Sequence, residues 1–234
     1  DQTPLRTMIP EDRRKGFPVR DILNTIADEN SFLEMKKIFG RSVITGFMRI
    51  EGRPFAVLAN DCQQLGGAID SAAADKAANF IEICSAHGLP MLSFVDTPGF
   101  MVGPDSEKEG AFRRMGELFK HGARIKTPLV GIILRRGYGL GAMAMMGGSF
   151  VDPIYSASWP NGEFGGMGLE GYVKLGFKKE LEAEETEEKK KALFDKLVAR
   201  MYEVGKATEA AAHLEMDAVI DPASTRETIV KAFK

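Results

Sequence analysis

Three glycines at alternate positions, Gly137, Gly139 and Gly141, lie in the stretch Arg135-Arg136-Gly137-Tyr138-Gly139-Leu140-Gly141-Ala142-Met143. Residues without a Cβ let the backbone come close to a ligand. The apolar residues 142–146 that follow can open a helix. Amides in the first turn of a helix have no carbonyl one turn back to bond, so they can donate to an anionic oxygen. A second polar break, Asp96-Thr97-Pro98-Gly99-Phe100, likewise ends a short apolar run. The chemistry on offer is therefore stabilisation of negative charge by backbone donors.

Other chemistries lack their residues. Asp-x-x-Gly after a strand also occurs in nucleotide-binding folds, but no Gly-x-x-x-x-Gly-Lys-Ser/Thr loop precedes it. Asp96 reads instead as a residue that holds its loop through side-chain hydrogen bonds. The alternating glycines do not match the Gly-x-Gly-x-x-Gly dinucleotide fingerprint. His87, His121 and His213 stand alone, with no metal-type spacing. No Gly-x-Ser-x-Gly elbow supplies a hydrolase nucleophile. Lys36, in Glu34-Met35-Lys36-Lys37, shares only a Met-Lys core with biotin attachment sites and reads as solvated. A site of backbone amides suits a carbonyl that becomes an enolate or similar oxyanion.

The elements that must position these loops alternate between strand and helix. Apolar runs at 91–95 and 129–134 predict strands, each ending at one of the two loops. Such neighbouring strand ends are where open α/β sheets bind ligands. Ala73, Ala77, Phe80, Ile81 and Cys84 fall on one helical stripe, with Gly88 and Pro90 to end it. Runs at 42–50 and 54–59 around Glu51-Gly52-Arg53 predict a hairpin. A helix is predicted over 106–125, with Phe112, Met115, Phe119 and Ala123 inward. Strands are predicted at 151–156, 163–167 and 216–220. The Glu/Lys-dense stretch 177–205 predicts one or two solvated helices with Leu193, Phe194, Leu197 and Met201 turned inward. Residues 1–18, with Pro4, Pro10, Gly16 and Pro18 among charges, predict an arm or interdomain linker, and 19–234 the domain proper.

With 234 residues, 44% hydrophobic and 27% charged, the chain has the composition of a globular domain able to bury a substantial core. A net charge of −2 and no basic stripe argue against nucleic acid. Cys62 and Cys84 are expected as packed thiols. No apolar run reaches the length of a membrane span, and no signal peptide is visible, which favours the cytoplasm or a mitochondrial matrix. The first residue is Asp1 rather than Met, the expectation for a piece of a longer polypeptide.

The order of motifs is specific. Phe94-Val95-Asp96-Thr97-Pro98-Gly99-Phe100 is followed by Gly103, Glu109-Gly110 and Arg113-Arg114. Then come Pro128, Arg135, Tyr138-Gly139, Gly141-Ala142 and Met146, and Trp159-Pro160, Met167-Gly168, Glu170-Gly171 and Val173. Ala211-Ala212, Asp217-Ala218-Val219-Ile220, Thr225-Arg226 and Ile229-Val230 complete the series. Ahead of it stand Pro18-Val19-Arg20, Ile44-Thr45-Gly46 and Asp75-Lys76-Ala77-Ala78. This succession resembles the carboxyltransferase component of biotin-dependent acyl-CoA carboxylases, specifically its C-terminal domain, over nearly the whole chain.

The resemblance implies an α/β crotonase-like fold of repeated ββα units with two roughly perpendicular sheets. It implies carboxyl transfer between carboxybiotin, borne by a separate carrier, and the α carbon of a CoA thioester. Partners would be an N-terminal acyl-CoA-binding domain, a biotin carboxylase or carrier subunit, and further copies in a trimer or hexamer. The active site would lie between the N-terminal domain of one subunit and the C-terminal domain of another. The amides around Gly141 and Ala142 would form the oxyanion hole, with Leu140 as the alternative donor because it is one residue extra to the family pattern. Gly99, Phe100, Tyr138 and Gly139 would line the biotin site, and Met143 with Ala144 an apolar acyl pocket. A decarboxylase running the transfer backwards, and a non-catalytic assembly domain, are the alternative readings.

Overall fold

The computed structural model describes residues 1–234. The N-terminal segment is packed rather than free. A 3-10 turn spans Thr3–Thr7, and Leu5, Ile9 and Phe17 are buried among the side chains of the first helix, α1 (Val19–Ile26). Its prolines do exclude an α-helix over 1–18, but three apolar residues are enough to fasten it to the body.

Strand β1 (Leu33–Met35) forms one edge and pairs with β2 (Val43–Ile50), which forms the expected hairpin with β3 (Arg53–Asn60). The two-residue turn places Glu51 and Gly52 at φ 52° and 75°, the signature of a turn matched to strand twist. Asp28 accepts from both turn amides, at 3.0 and 2.8 Å. Helix α2 (Ser71–Ala86) is capped by Asp70, which accepts from the Ala73 amide at 2.8 Å. Its predicted stripe is buried, and Gly88, at φ 70°, ends it.

Strand β4 (Met91–Thr97) is buried throughout and runs parallel to β3. The helix predicted over 106–125 is two helices, α3 (Pro104–Lys108) and α4 (Ala111–Gly122), broken at the left-handed Gly110. The predicted stripe lies wholly beyond that break, and of its residues Phe119 packs against the core and Met115 is half-buried. Ala111, Leu118 and Gly122 face inward, whereas Phe112 is 90% exposed and Ala123 is exposed too. Strand β5 (Leu129–Tyr138) runs parallel to β4 and leads directly into α5 (Gly139–Met145). Residues 151–154 turn instead of extending, since Pro153 lacks an amide for a ladder; β6 is Tyr155–Ser158. Next come β7 (Glu163–Gly165), α6 (Leu169–Gly176), α7 (Lys178–Glu182) and α8 (Glu187–Val204). The last elements are α9 (Ala207–Ala212), β8 (Ala218–Val219) and α10 (Thr225–Ala232). No residue of α8 is fully buried; Leu193, Phe194, Leu197 and Met201 are half-covered, so this helix is held loosely. No helix is long and apolar enough to cross a membrane.

All eight strands belong to one hydrogen-bonded sheet in the order β1-β2-β3-β4-β5-β6-β8. A second sheet is present only as a branch. The first half of β5 pairs with β6, and Arg136, Gly137 and Tyr138 at its end pair with β7. One core lies between the sheet and α2, α4 and α5; the other lies under α1, the N-terminal segment and α10. Cys62 and Cys84 are buried free thiols, and burial pushes each up to about 11.

Lys76 of α2 is 1% exposed and donates to the Val43 carbonyl at 2.7 Å. Burial lowers its pKa to about 8, against the attraction of Glu34 and with the help of Arg20. The unfolded chain, near 10.5, then binds more protons than the folded one between these values. Stability therefore rises with pH across that window. In urea unfolding from pH 7 to 10.5, wild type is expected to gain stability relative to Lys76→Met; a constant difference would show that Lys76 does not titrate this way.

Candidate active site at the ends of three parallel strands

The two loops singled out in the sequence meet at the C-terminal ends of β4 and β5, and Asp96 joins them. It is fully buried, and its carboxylate accepts from both arginines at the end of β5. Oδ1 accepts from the Arg136 amide at 2.9 Å and from its Nε at 2.8 Å; Oδ2 accepts from Nη2 of Arg135 and of Arg136, both at 2.9 Å. Burial alone would raise the Asp96 pKa, but hydrogen bonds and charge from Arg136 and Arg135 outweigh it and hold the carboxyl below its ordinary value. The expected loop-holding role is thus carried out by a buried ionic triad. Arg136 continues to the Gly66 carbonyl at 2.8 Å. Arg135 donates to the Lys15 carbonyl at 2.8 Å and stacks over Phe17, so the N-terminal segment is fastened to the same triad.

A third loop, after β3, docks on the second. The Ile69 amide donates to the Gly99 carbonyl at 3.0 Å, and the Met101 amide to the Ile69 carbonyl at 2.9 Å. Asn60, at the end of β3 and fully buried, accepts from the Asp96 amide at 3.3 Å and leaves its Nδ2 without a partner. Gly66 and Gly67 take positive φ, and a Cβ on Gly67 would collide with the Asp96 carbonyl oxygen.

Strand β5 passes into α5 without a loop, with Tyr138 as the N-cap. By helix geometry the amides of Gly139, Leu140 and Gly141 have no partner within the helix. Leu140 is 63% exposed, so the opening turn presents itself to the outside. Gly141 is buried, and its missing side chain has a definite cause: a Cβ there would lie 2.7 Å from the backbone of Gly99 and 3.0 Å from the Phe100 nitrogen. Gly139 has φ 59°, and a Cβ on it would lie 2.7 Å from the Gly166 carbonyl oxygen. Gly99, Phe100, Gly139, Leu140 and Gly141 are therefore brought together.

Other predicted residues are placed differently. The side chains of Ala142 and Ala144 are completely buried in the core beneath the sheet, and Met143 is half-buried beside them. Ala144 thus packs in the core; at Ala142 only the backbone remains on offer. Tyr138 is 4% exposed, and its hydroxyl donates to Glu163 Oε2 at 2.9 Å, turned into the fold rather than towards a ligand. Sequence reasoning missed Asn60, Gly67, Glu163 and Arg13. Nothing local to Gly67 announces its contact with Asp96. His87 and His213 are helix C-caps, and His121 lies 3.7 Å from Glu117 on α4.

A mixed sheet with helical crossovers brings glycine-thinned loops to adjacent strand ends, and the fold is crotonase-like. The whole chain, residues 1–234, matches the carboxyl transferase domain, and the protein belongs to that family. It is 33% identical over 233 residues to the methylmalonyl-CoA carboxyltransferase 12S subunit of Propionibacterium freudenreichii subsp. shermanii, covering 99% of this chain and 44% of that one. It is 34% identical over 233 residues to the propionyl-CoA carboxylase beta chain of Saccharopolyspora erythraea, covering 98% of this chain and 42% of the relative. A single-chain, multi-domain long-chain acyl-CoA carboxylase superposes with a TM-score of 0.90 and 47% identity, over 99% of this chain and 23% of the larger one. The transcarboxylase 12S hexamer with methylmalonyl-CoA bound gives 0.90 and 31%, over 99% and 44%. The chain spans less than half the length of these relatives.

Proposed function

We propose that this chain is the biotin-side half of an acyl-CoA carboxyltransferase and works with an acyl-CoA-binding domain. The observation that carries the reading is the exposed first turn of α5, held against the 97–100 loop with no side chain at Gly141 between them. Carboxybiotin on its carrier supplies the carboxyl group. The residues that would receive the ureido oxygen are the amides at the head of α5, among Leu140, Gly141 and Ala142, fixed in advance by Asp96 and its two arginines. Donors that need no rearrangement when charge develops lower the barrier most. Leu140 and the 99–100 backbone would shape the mouth, and Asn60 Nδ2 adds a buried donor at the neighbouring strand end.

The substrate class has its own pointer. Identity is 47% with the long-chain acyl-CoA carboxylase and 31% with the methylmalonyl-CoA-bound transcarboxylase. A long-chain acyl-CoA is therefore the substrate we assign. The test joins this chain to its acyl-CoA-binding domain and follows transfer between carboxylated acyl-CoA and free biotin. Transfer is expected with both domains present and with neither alone, and faster with palmitoyl than with propionyl thioesters. No transfer in the assembled protein would leave the assembly-domain reading, and equal rates would remove the chain-length assignment. Coupled purification with a membrane ion pump would favour decarboxylation.

A further inference from the structure

The end of β5 is gripped from the side by β7, and the grip extends well beyond the site. Gly137 lies against the Phe164 ring, and Gly139 against the Gly166 carbonyl. On its other side β7 rests on the junction between α8 and α9: the Phe164 amide donates to the carbonyl of Gly205, the C-cap of α8, at 2.7 Å. The one ionised side chain of β7 is Glu163, 8% exposed. Its Oε2 accepts from the Tyr138 hydroxyl at 2.9 Å, and its Oε1 pairs with Arg13 of the N-terminal segment. The Arg13 guanidinium stacks 4.0 Å over the Tyr202 ring of α8, and the Tyr202 hydroxyl donates to Glu170 of α6 at 2.8 Å.

Tyr138 is the N-cap of α5, so its backbone aims the first-turn amides. Its χ angles are fixed by the anchored hydroxyl, and burial together with the Glu163 charge raises its pKa, keeping the phenol a proton donor.

We propose that Tyr138 and Glu163 are positioning residues for carboxyl transfer, fixing the direction of the amides at the start of α5 through the Tyr138–Glu163–Arg13 chain. This rests on the biotin-side reading of that turn. The mechanism is geometric: a misplacement of about 1 Å at a reacting centre costs on the order of 100-fold in rate. The two halves of the chain have separable roles. The Tyr138–Glu163 bond sets the cap, and Arg13 holds Glu163 in place and links it to the α6–α8 layer.

The test uses the full-length protein carrying Tyr138→Phe, Glu163→Ala or Glu163→Gln. Gln keeps an acceptor for the Tyr138 hydroxyl and loses only the charge facing Arg13. Tyr138→Phe and Glu163→Ala are expected to lower kcat for transfer to free biotin by about 10-fold or more, within the loss a displaced donor produces. KM for acyl-CoA should stay within about twofold, because that substrate binds elsewhere. Glu163→Gln should recover most of kcat. Hydrogen exchange gives a readout independent of activity: amides 143–146, inside α5 and its C-cap, should exchange about 10-fold faster in the first two variants and near the wild-type rate in Glu163→Gln. Unchanged exchange at 143–146 in both Tyr138→Phe and Glu163→Ala would overturn the proposal, as would kcat loss that follows thermal stability alone with no rescue by Gln. A wild-type protein without transfer would refute the functional reading, while the exchange data would still decide the role of the Tyr138–Glu163 pair.

Discussion

Replacing Asp96 by alanine is expected to destabilise the fold by about 3–5 kcal/mol, the cost of removing one partner from a buried ionic cluster. The reason lies in what stays behind. Arg135 has a side chain 3% exposed and Arg136 one 19% exposed, and Asp96 is the carboxylate to which both are paired. Without it two guanidiniums face each other in the interior. Arg135 keeps its bonds to main-chain carbonyls of the N-terminal segment, and Arg136 keeps Gly66, but neither partner carries a charge. For a domain of this size the loss amounts to a fall of roughly 6–20 °C in Tm. It should also loosen the 66–70, 97–100 and 135–138 segments together, since Asp96 is their common anchor. Urea unfolding and thermal melting measure it; a change under 1 kcal/mol would mean the charges find water instead.

The same residue sets a pH dependence. Its folded pKa lies below the unfolded value near 3.9. A depressed acid contributes stability that is fully present above the unfolded pKa and is lost as pH falls through the folded one. Wild type should therefore lose stability relative to Asp96→Ala as pH falls below about 4, because the unfolded chain takes up a proton at Asp96 before the folded one does.

Much of this arrangement was legible locally, and the parts that were not share a cause. The stripe Ala73–Ala77–Phe80–Ile81–Cys84 is buried because all five residues belong to one uninterrupted helix with a real cap at Asp70. The stripe predicted around Phe112 held only in its middle, at Met115 and Phe119, because periodicity fixes the spacing of a face but not how much of it the neighbouring elements cover. Phe112 lies in the first turn of α4 and is exposed, while Phe119, two turns on, packs against the core. Asp96 was readable as a loop anchor, since an acid after an apolar run next to Thr-Pro-Gly suggests side-chain bonding. Its partners, some 40 residues on, were not. Tyr138 was placed at the biotin site by the family resemblance. Its hydroxyl is held by Glu163, a lone acid brought alongside by β7 pairing with the end of β5. Family resemblance supplied the chemistry; the residues alone had narrowed it only to an oxyanion held by amides.

Gly141→Ala and Gly116→Ala, the same added methyl group, are expected to have opposite signs. A Cβ at Gly141 would sit 2.7 Å from two backbone atoms of Gly99 and 3.0 Å from the Phe100 nitrogen. Backbone held by the Ile69–Gly99 and Met101–Ile69 bonds cannot swing aside as a side chain would. Helix α5 must then lift from the 97–100 loop, at a cost of about 1–3 kcal/mol for overpacking. The displacement moves the amides of Leu140, Gly141 and Ala142 together, so kcat for carboxyl transfer should fall by about 10-fold or more. Gly116 lies inside α4, where a Cβ meets nothing within 4 Å. Alanine there should stabilise by about 0.5–1 kcal/mol, because it freezes the helical backbone less expensively, and should leave transfer unchanged. Melting curves and kinetics on both variants separate the two roles a glycine can have at 141. Lost stability together with lost kcat means that the missing side chain serves the contact between α5 and its neighbouring loop. A rise in KM for free biotin at wild-type stability would mean that it serves the approach of the ligand, and would move the packing role away from this residue.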